Sequence, residues 1–555
     1  MNRDRFSAET LVYVLVGIVF LWIFIAYYPA AFPQASIRLG VTRDEARRIA
    51  ARFLEERGYD LSGYESAVVF DADNTGAVFL QKTQGMERAN RLMEGDVPIW
   101  RWRCRWFRSA EKEEYRVYVD PSGEVIRFLH AIEDDKEGAT IPQEEGETMA
   151  SEFVAGVMGI DLSEYERVEA STKKQENRTD HHFEWKRTGF EIAWKGGDPE
   201  AGTGTLRVRA SVRGDEVGGV RRYFKTPEAF AREFEKVQSR GVLLALISTV
   251  LMFLTGVAAL VVFIIKYKAG AIHWRFALVF AGLIMALYTL HTLNAFPVVK
   301  SSYQTTMDYA VFVGIVAAAT VLVSVIYGGF ILFTGASGHA LTRDLYPSSL
   351  GTLERLLRGR IFTRSFFFSS VRGYALAFFF LGYVTLFYLF GRRYLGVFLP
   401  AEGPYSNLLG THLPWLAPLA VSLLAAVSEE FVSRLFSISF LKRYLRLTWL
   451  ALLIPAAIWA FAHSSYPVFP VYVRGIELTI AGVIFGIFFL RFNIMTCVVA
   501  HYVIDAVFLG MPLLRSGHTY YVVTGAVVCL LAAVPLLVGM TGMARNEPDS
   551  GPAAA

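Results

Sequence analysis

Two acidic residues stand side by side where an apolar helix is expected. Glu429 and Glu430 lie midway along LAPLAVSLLAAVSEEFVSRLFSISF, with Arg434 one turn later. Further on, AIWAFAHSS carries His463, and VVAHYVIDAVF carries His501 and Asp505 at i,i+4. An ionisable group at the centre of a membrane helix costs about 2.5–3.5 kcal/mol, so each one asks for a reason. Glu430 and Arg434 can pair on one face at i,i+4. Glu429 points about 100° away and finds no partner on its own helix. Three segments therefore aim carboxylates and imidazoles at similar depth, and a bundle of them would enclose one polar, wet cavity. The chemistry this permits is water activation, with a buried carboxylate as general base and imidazoles that orient water or stabilise an oxyanion. Alternatively, Glu429, His463 and His501 could hold a zinc ion with one open position.

The rest of the chain must supply the helices that position these groups. Of 555 residues, 53% are hydrophobic, 14% aromatic and only 19% charged, which is too apolar for a soluble chain of this length. The charge is also uneven. Residues from about Ala35 to Arg240 are polar, while most of the remainder consists of apolar runs of roughly 20 residues, enough to cross a bilayer as helices. The first run, Leu11 to about Phe32, is too long for the apolar stretch of a cleaved leader and is read as an uncleaved anchor. Nine later runs bring the expected spans to about ten. Most of the loop arginines and lysines, including Arg343, Arg355, Arg358, Arg360 and Arg364, fall on one side, with Arg392 and Arg393 the exception on the other. This puts both termini in the cytoplasm and the polar segment outside it. The net charge of +4 comes with no dense basic stripe interleaved with aromatics, so nucleic acid is not an expected partner. Three cysteines, Cys104, Cys497 and Cys529, form no zinc-binding or disulfide pattern.

Within the polar segment, Thr42 and Glu45 make a capping box ahead of a helical apolar pattern. Alternating strands follow: WRWRCRW, then YRVYV and EVIRF around the turn Asp120–Gly123. The order then recurs: FLEERGYDLSGYE at Phe53 corresponds to FVAGVMGIDLSEYE at Phe153, and LRVRASVRGDEVGGVRRY echoes the hairpin. The segment is therefore expected to hold two copies of a helix-plus-hairpin α+β unit, resembling PepSY-type domains, with an interaction or folding role rather than a catalytic one.

The membrane motifs resemble a known family. EEFVSR (Glu429–Arg434) matches the EExxxR signature of the CPBP intramembrane proteases, the CAAX-protease and bacteriocin-processing group. WAFAH fits that family's FxxxH motif except that Trp459 replaces the Phe four residues before His463. HYVID fits its third motif, with Asp505 in place of the commoner Asn. The resemblance covers about Gly373–Leu514. It implies an intramembrane endopeptidase, glutamate-dependent or zinc-dependent, in a bacterial cytoplasmic membrane, acting on a membrane-embedded or lipid-anchored peptide. It also implies that Glu429 activates water with His463, that His501 and Asp505 form the oxyanion side, and that Glu430 and Arg434 brace the site. Trp459 would wall a substrate groove. An ionised Asp505 accepts hydrogen bonds but donates none, so it would orient His501 or bind metal instead.

Other protease chemistries fit less well. GASG at Gly335–Gly338 matches a GxSG nucleophile motif at Ser337, but no partner helix of the matching kind follows, and no HExxH occurs. A non-catalytic scaffold or immunity-type binding protein with the same fold is the alternative, although such a protein is expected to have lost Glu429 or a histidine. The expected architecture is a mainly α, polytopic membrane helix bundle with an α+β extracytoplasmic domain. The anchor takes residues 1–34. The extracytoplasmic domain takes 35–240, as repeats of about 35–138 and 139–240. A three-helix membrane region takes 241–340, the peptidase domain takes 365–545, and a disordered tail takes 546–555.

Overall fold

The computed structural model describes residues 7–195, 201–399, 406–466 and 468–544, and the expected tail at 546–555 lies outside the described residues. Among the described residues ten helices are long and apolar enough to cross a membrane. They are α1 (Ala8–Ala31), α2 (Glu228–Lys268), α3 (Trp274–Asn294), α4 (Tyr309–Leu345), α5 (Arg364–Leu395), α6 (Leu416–Leu445), α7 (Thr448–Ser465), α8 (Val473–Arg491), α9 (Ile494–Leu514) and α10 (Thr519–Met543). The helical membrane bundle and the attached α+β unit expected from the sequence are both present.

Between α1 and α2 lies one antiparallel sheet of eight strands: β1 (Glu65–Ala72), β2 (Trp100–Phe107), β3 (Glu114–Val119), β4 (Val125–Ala131), β5 (Tyr165–Lys174), β6 (Thr179–Ala193), β7 (Thr203–Arg213) and β8 (Glu216–Lys225). Their order is β1-β2-β3-β4-β8-β7-β6-β5. Each half is a helix, Arg43–Glu55 or Gln143–Gly156, followed by a four-stranded meander, and the halves join edge to edge through their last strands. The sequence pattern suggests only one hairpin per half because the other strands are disguised. Two helices, Asn74–Gln84 and Met86–Glu94, separate β1 from β2, and β5 is an edge strand with no buried side chain to set an alternation. The alternation of β2 does what its pattern predicts: Trp100, Trp102, Cys104 and Trp106 are buried against the helices, while Arg101 and Arg103 turn to the opposite face. The Thr42 capping box is formed, with Thr42 N–H donating to Glu45 Oε2 at 2.8 Å.

The sheet unit is seated on one end of the bundle. Leu39 N–H donates to Ser516 O at 2.7 Å, Gln81 Nε2 to Leu399 O at 2.9 Å, and Arg43 Nη1 to Thr411 O at 2.9 Å. Phe234, near the start of α2, stacks on Phe469 with ring centroids 5.5 Å apart. The first helix is a full member of the bundle, because glycines let it lie directly on α5: a Cβ on Gly17 would come within 2.8 Å of Ala375 O, and one on Gly382 would strike the Phe20 backbone.

Where the two halves of the sheet meet, Glu216 accepts a hydrogen bond from the Tyr59 hydroxyl at 2.6 Å and faces His130 Nδ1 at 3.6 Å. These neighbours, the His130 ring foremost, hold the Glu216 carboxyl down to about 2 against an ordinary value of 4.5. A depressed carboxyl contributes stability above its unfolded value and loses it as pH falls through the folded value. Thermal unfolding should therefore show wild type more stable than Glu216→Gln above pH 4.5, with the difference closing as pH approaches 2.

Candidate active site

The site is built where α6 changes its winding. An α-helical stretch ends at Glu430, a π-helix follows over Phe431–Ile438, and α-helix resumes at Ser439. Ser437 Oγ donates to Val432 O at 2.7 Å inside the widened turn. Such π segments occur mostly at functional sites, because they re-aim the side chains on either side. Here they set the directions of Glu429, Glu430 and Arg434.

Helix α4 braces this segment. Thr342 Oγ1 donates to Leu435 O at 3.1 Å and lies 2.8 Å from Ser439 Oγ, all of it buried. The approach depends on small residues, since a Cβ on Gly338 would come within 2.9 Å of Phe436 N. The GASG segment is thus a packing surface in which Ser337, fully buried, donates to Ala259 O on α2 at 2.8 Å.

Six of the seven expected residues meet directly. Glu430 is 0% exposed, and its Oε1 accepts from His501 Nδ1 at 2.8 Å. Arg434, 1% exposed, brings Nη1 to 3.2 Å from the same oxygen, and its guanidinium lies 4.6 Å above the Trp459 ring and 5.0 Å above Phe485. A guanidinium over aromatic faces recovers part of the cost of leaving water. Because Glu430 can only accept when ionised, His501 Nδ1 carries the proton, and Nε2 faces the other two carboxylates: Glu429 Oε2 at 3.8 Å and Asp505 Oδ2 at 3.5 Å. Glu429 and Asp505 are both half-buried, with side chains 25% and 29% exposed.

Trp459 does more than line the cavity. Its indole N–H donates to Glu429 Oε2, a contact that the family's usual Phe could not make. The seventh residue, His463, joins the group through Trp459. It lies on the 3₁₀ turn Ala462–Ser465 at the end of α7, with Nδ1 2.9 Å from the carbonyl of Trp459 and the two rings packed edge to face at 5.4 Å. A carbonyl accepts only, so Nδ1 is the protonated nitrogen and Nε2 keeps its lone pair. Helix α2 touches the same turn, with Gly241 against Ser464 O. Among the described residues no three His, Cys, Asp or Glu side chains converge as a metal-binding group, so Glu429, His463 and His501 as placed do not present a zinc site.

Two residues near the site escape the sequence reading. Glu477 on α8 is 0% exposed and paired with Arg474, with the Tyr388 hydroxyl 3.4 Å from its Oε2. Tyr466 packs its ring 6.0 Å from that of His463 and lies 6.0 Å beneath the Arg474 guanidinium. A lone Glu in an apolar run with an Arg three residues earlier was the available signal for the first. Tyr466 carries none.

Replacing Thr342 by Val leaves the Leu435 carbonyl without its donor and should lower stability by about 1–3 kcal/mol, whereas Thr342→Ser should be near neutral. Thermal unfolding in detergent measures both.

Residues 411–507, the stretch that contains all seven residues, match the family model for type II CAAX prenyl endopeptidase Rce1-like proteins. The sporulation-killing factor biosynthesis protein SkfC of Bacillus subtilis (strain 168) is 22% identical over 516 residues, which cover 91% of this chain and 96% of that protein. No solved structure matches the chain. The C-terminal part of this membrane protein therefore carries an Rce1-like domain of the CAAX-protease kind.

Proposed function

We propose that the protein is an intramembrane endopeptidase that hydrolyses a peptide bond of a membrane-anchored substrate through a water activated by Glu429 and His463. The observation that carries this reading is the setting of Glu429. One of its oxygens is fixed by the Trp459 indole, His501 stands 3.8 Å away, and a quarter of the side chain stays accessible. A general base needs this combination of fixed orientation and access to water.

In the proposed reaction Glu429 takes a proton from water while the Nε2 lone pair of His463 orients it. The water oxygen bonds to the substrate carbonyl carbon. His501 acts in its doubly protonated form: Nδ1 stays on Glu430, and Nε2, beside Asp505, donates to the developing oxyanion. The C–N bond then breaks, and the proton held by Glu429 passes to the leaving amine. No step requires a metal.

A substrate anchored in the bilayer suits the surroundings of the site. A groove of about 260 Å³ runs between α2, the π segment and α7; Leu254, Ala258, Phe436, Phe440, Pro455 and Trp459 are among its walls. It is apolar, lies within membrane-spanning helices and ends at the residue that holds Glu429. Most of the loop arginines, Arg343, Arg355, Arg358 and Arg360 among them, lie at the end of the bundle away from the sheet, with Arg392 and Arg393 at the other end; this balance favours a cytoplasmic placement for the first end and an extracytoplasmic one for the sheet.

The test is cleavage of quenched fluorescent peptides carrying a C-terminal lipid anchor, with purified protein in detergent. Glu429→Gln and His463→Ala should each lower kcat by about 10²–10⁴-fold. Trp459→Phe should reduce kcat while leaving KM near that of wild type, because Phe keeps an aromatic wall to the groove and loses only the N–H that positions the base. Chelator should leave the rate unchanged; a chelator-dependent loss would favour zinc held by Glu429, His463 and His501 in place of the metal-free scheme. Full activity of Glu429→Gln would overturn the mechanism.

A further inference from the structure

On the face of the sheet turned away from its packed helices, arginines line up across the strands. Arg103 on β2 stands opposite Tyr118 on β3, Tyr118 opposite Arg127 on β4, Arg127 opposite Arg221 on β8, and Arg221 opposite Arg209 on β7. Directly opposed residues share a face, so these five form one row, about 19 Å long at the usual strand spacing. Its centre is the seam between the two halves of the sheet.

Like charges placed directly opposite each other weaken a sheet. Other arginines on this face have acidic partners: Arg101 pairs with Asp71 at 3.4 Å, Arg105 with Glu114, and Arg207 with Glu184. Among the described residues Arg103, Arg127 and Arg221 stand in no ion pair, and Arg209 reaches Glu169 and Glu184 only at 3.9 Å each. Aromatic rings support the row instead of acids, with Arg127 4.6 Å over Tyr118 and Arg221 4.1 Å over Tyr223. Burial first, with the charges of Arg221, Arg101 and Arg116 adding to it, holds Arg127 below the usual arginine range. Arg103, Arg127 and Arg221 therefore place three charges without an ion pair along one line.

We propose that this row is a docking site for an acidic, extended peptide segment, the part of the peptidase substrate that lies outside the membrane. Guanidinium forks match carboxylates in bidentate geometry, and stacking on tyrosines leaves the fork edges open. A row of this length takes about six residues of extended chain. The arginine side chains are half-buried in a sheet face, which admits a narrow chain and keeps their charges back from a planar bilayer. Calling that peptide the substrate rests on the proposed function; the binding itself does not.

The experiment uses the full chain carrying Glu429→Gln, in nanodiscs of zwitterionic lipid, so that binding is read without turnover. The probe is a fluorescein-labelled peptide of alternating Glu and Ser, compared with its Gln counterpart by fluorescence anisotropy. The acidic peptide should bind and the Gln peptide should not. Adding Arg127→Gln and Arg221→Gln should weaken binding by about tenfold or more. Salt at about 1 M, where the screening length is about 3 Å, should abolish it. The same double variant should melt no lower than its parent, because a repulsion has been removed. Equal binding of the Gln peptide, unchanged binding by the double variant, or a lower melting temperature would overturn the proposal, as would tighter binding of anionic vesicles or of a single-stranded oligonucleotide than of the acidic peptide. If Glu429→Gln cleaved normally, the peptidase reading would fail while the binding result stood; no binding of the acidic peptide to the chain with its arginines intact, with wild type cleaving and Glu429→Gln inactive, would fail the docking site alone.

Discussion

The contact between Glu430 and His501 is the one on which the rest of the site depends. It joins α6 to α9 through a hydrogen bond with a carboxylate that has no access to solvent, and Arg434 stands beside the same oxygen. Removing a charged pair from water costs several kcal/mol per ion, and the cost is recovered only when geometry and additional partners are good. The structure supplies part of this from three directions, an imidazole from α9, a guanidinium one turn along α6, and the faces of Trp459 and Phe485, while Glu430 Oε2 and the terminal nitrogens of Arg434 make no hydrogen bond among the described residues. Deleting one member would leave another charged and unpaired in an apolar interior. The site is consequently fixed as a unit, and His501 is held with its second nitrogen directed at Glu429 and Asp505.

That fixation explains the position of the π segment. The widened turns begin directly after the two glutamates; there Arg434 and His501 close on one oxygen of Glu430 while Glu429 turns to Trp459. A widened helix is weaker on its own, and α4 compensates by placing Thr342 on the Leu435 carbonyl across a glycine contact. Helices outside the matched segment 411–507 thus take part in shaping it, α4 through the π segment and α2 through the His463 turn.

The sheet unit reaches the same turn. Its last strand leads directly into α2, whose early turns stack Phe234 on Phe469 and then pass Gly241 against Ser464. A rigid 41-residue helix therefore links the seam of the sheet, where the arginine row lies, to the loop that presents His463. The match to a relative across 91% of the chain includes the sheet as well as the bundle.

The sequence by itself determined the spans and marked the ionisable groups within them. Apolar runs of bilayer length identify membrane helices without further context, and Glu429, Glu430, His463, His501 and Asp505 stand out because hydrocarbon penalises each of them. It also determined the helix start at Thr42 and the two faces of β2, since capping and alternation are local. Only the tertiary structure decided the rest. Trp459 was legible as a departure from a motif, but that its N–H reaches Glu429 depends on how α7 crosses α6. Glu477 has its meaning from Arg474 and from Tyr388 on another helix. The joining of the two meanders through β4 and β8 depends on pairing between segments about 90 residues apart, for which no local pattern exists. The arginine row is invisible along the chain for the same reason: its members lie on different strands, and they become neighbours only when hydrogen bonding sets the register.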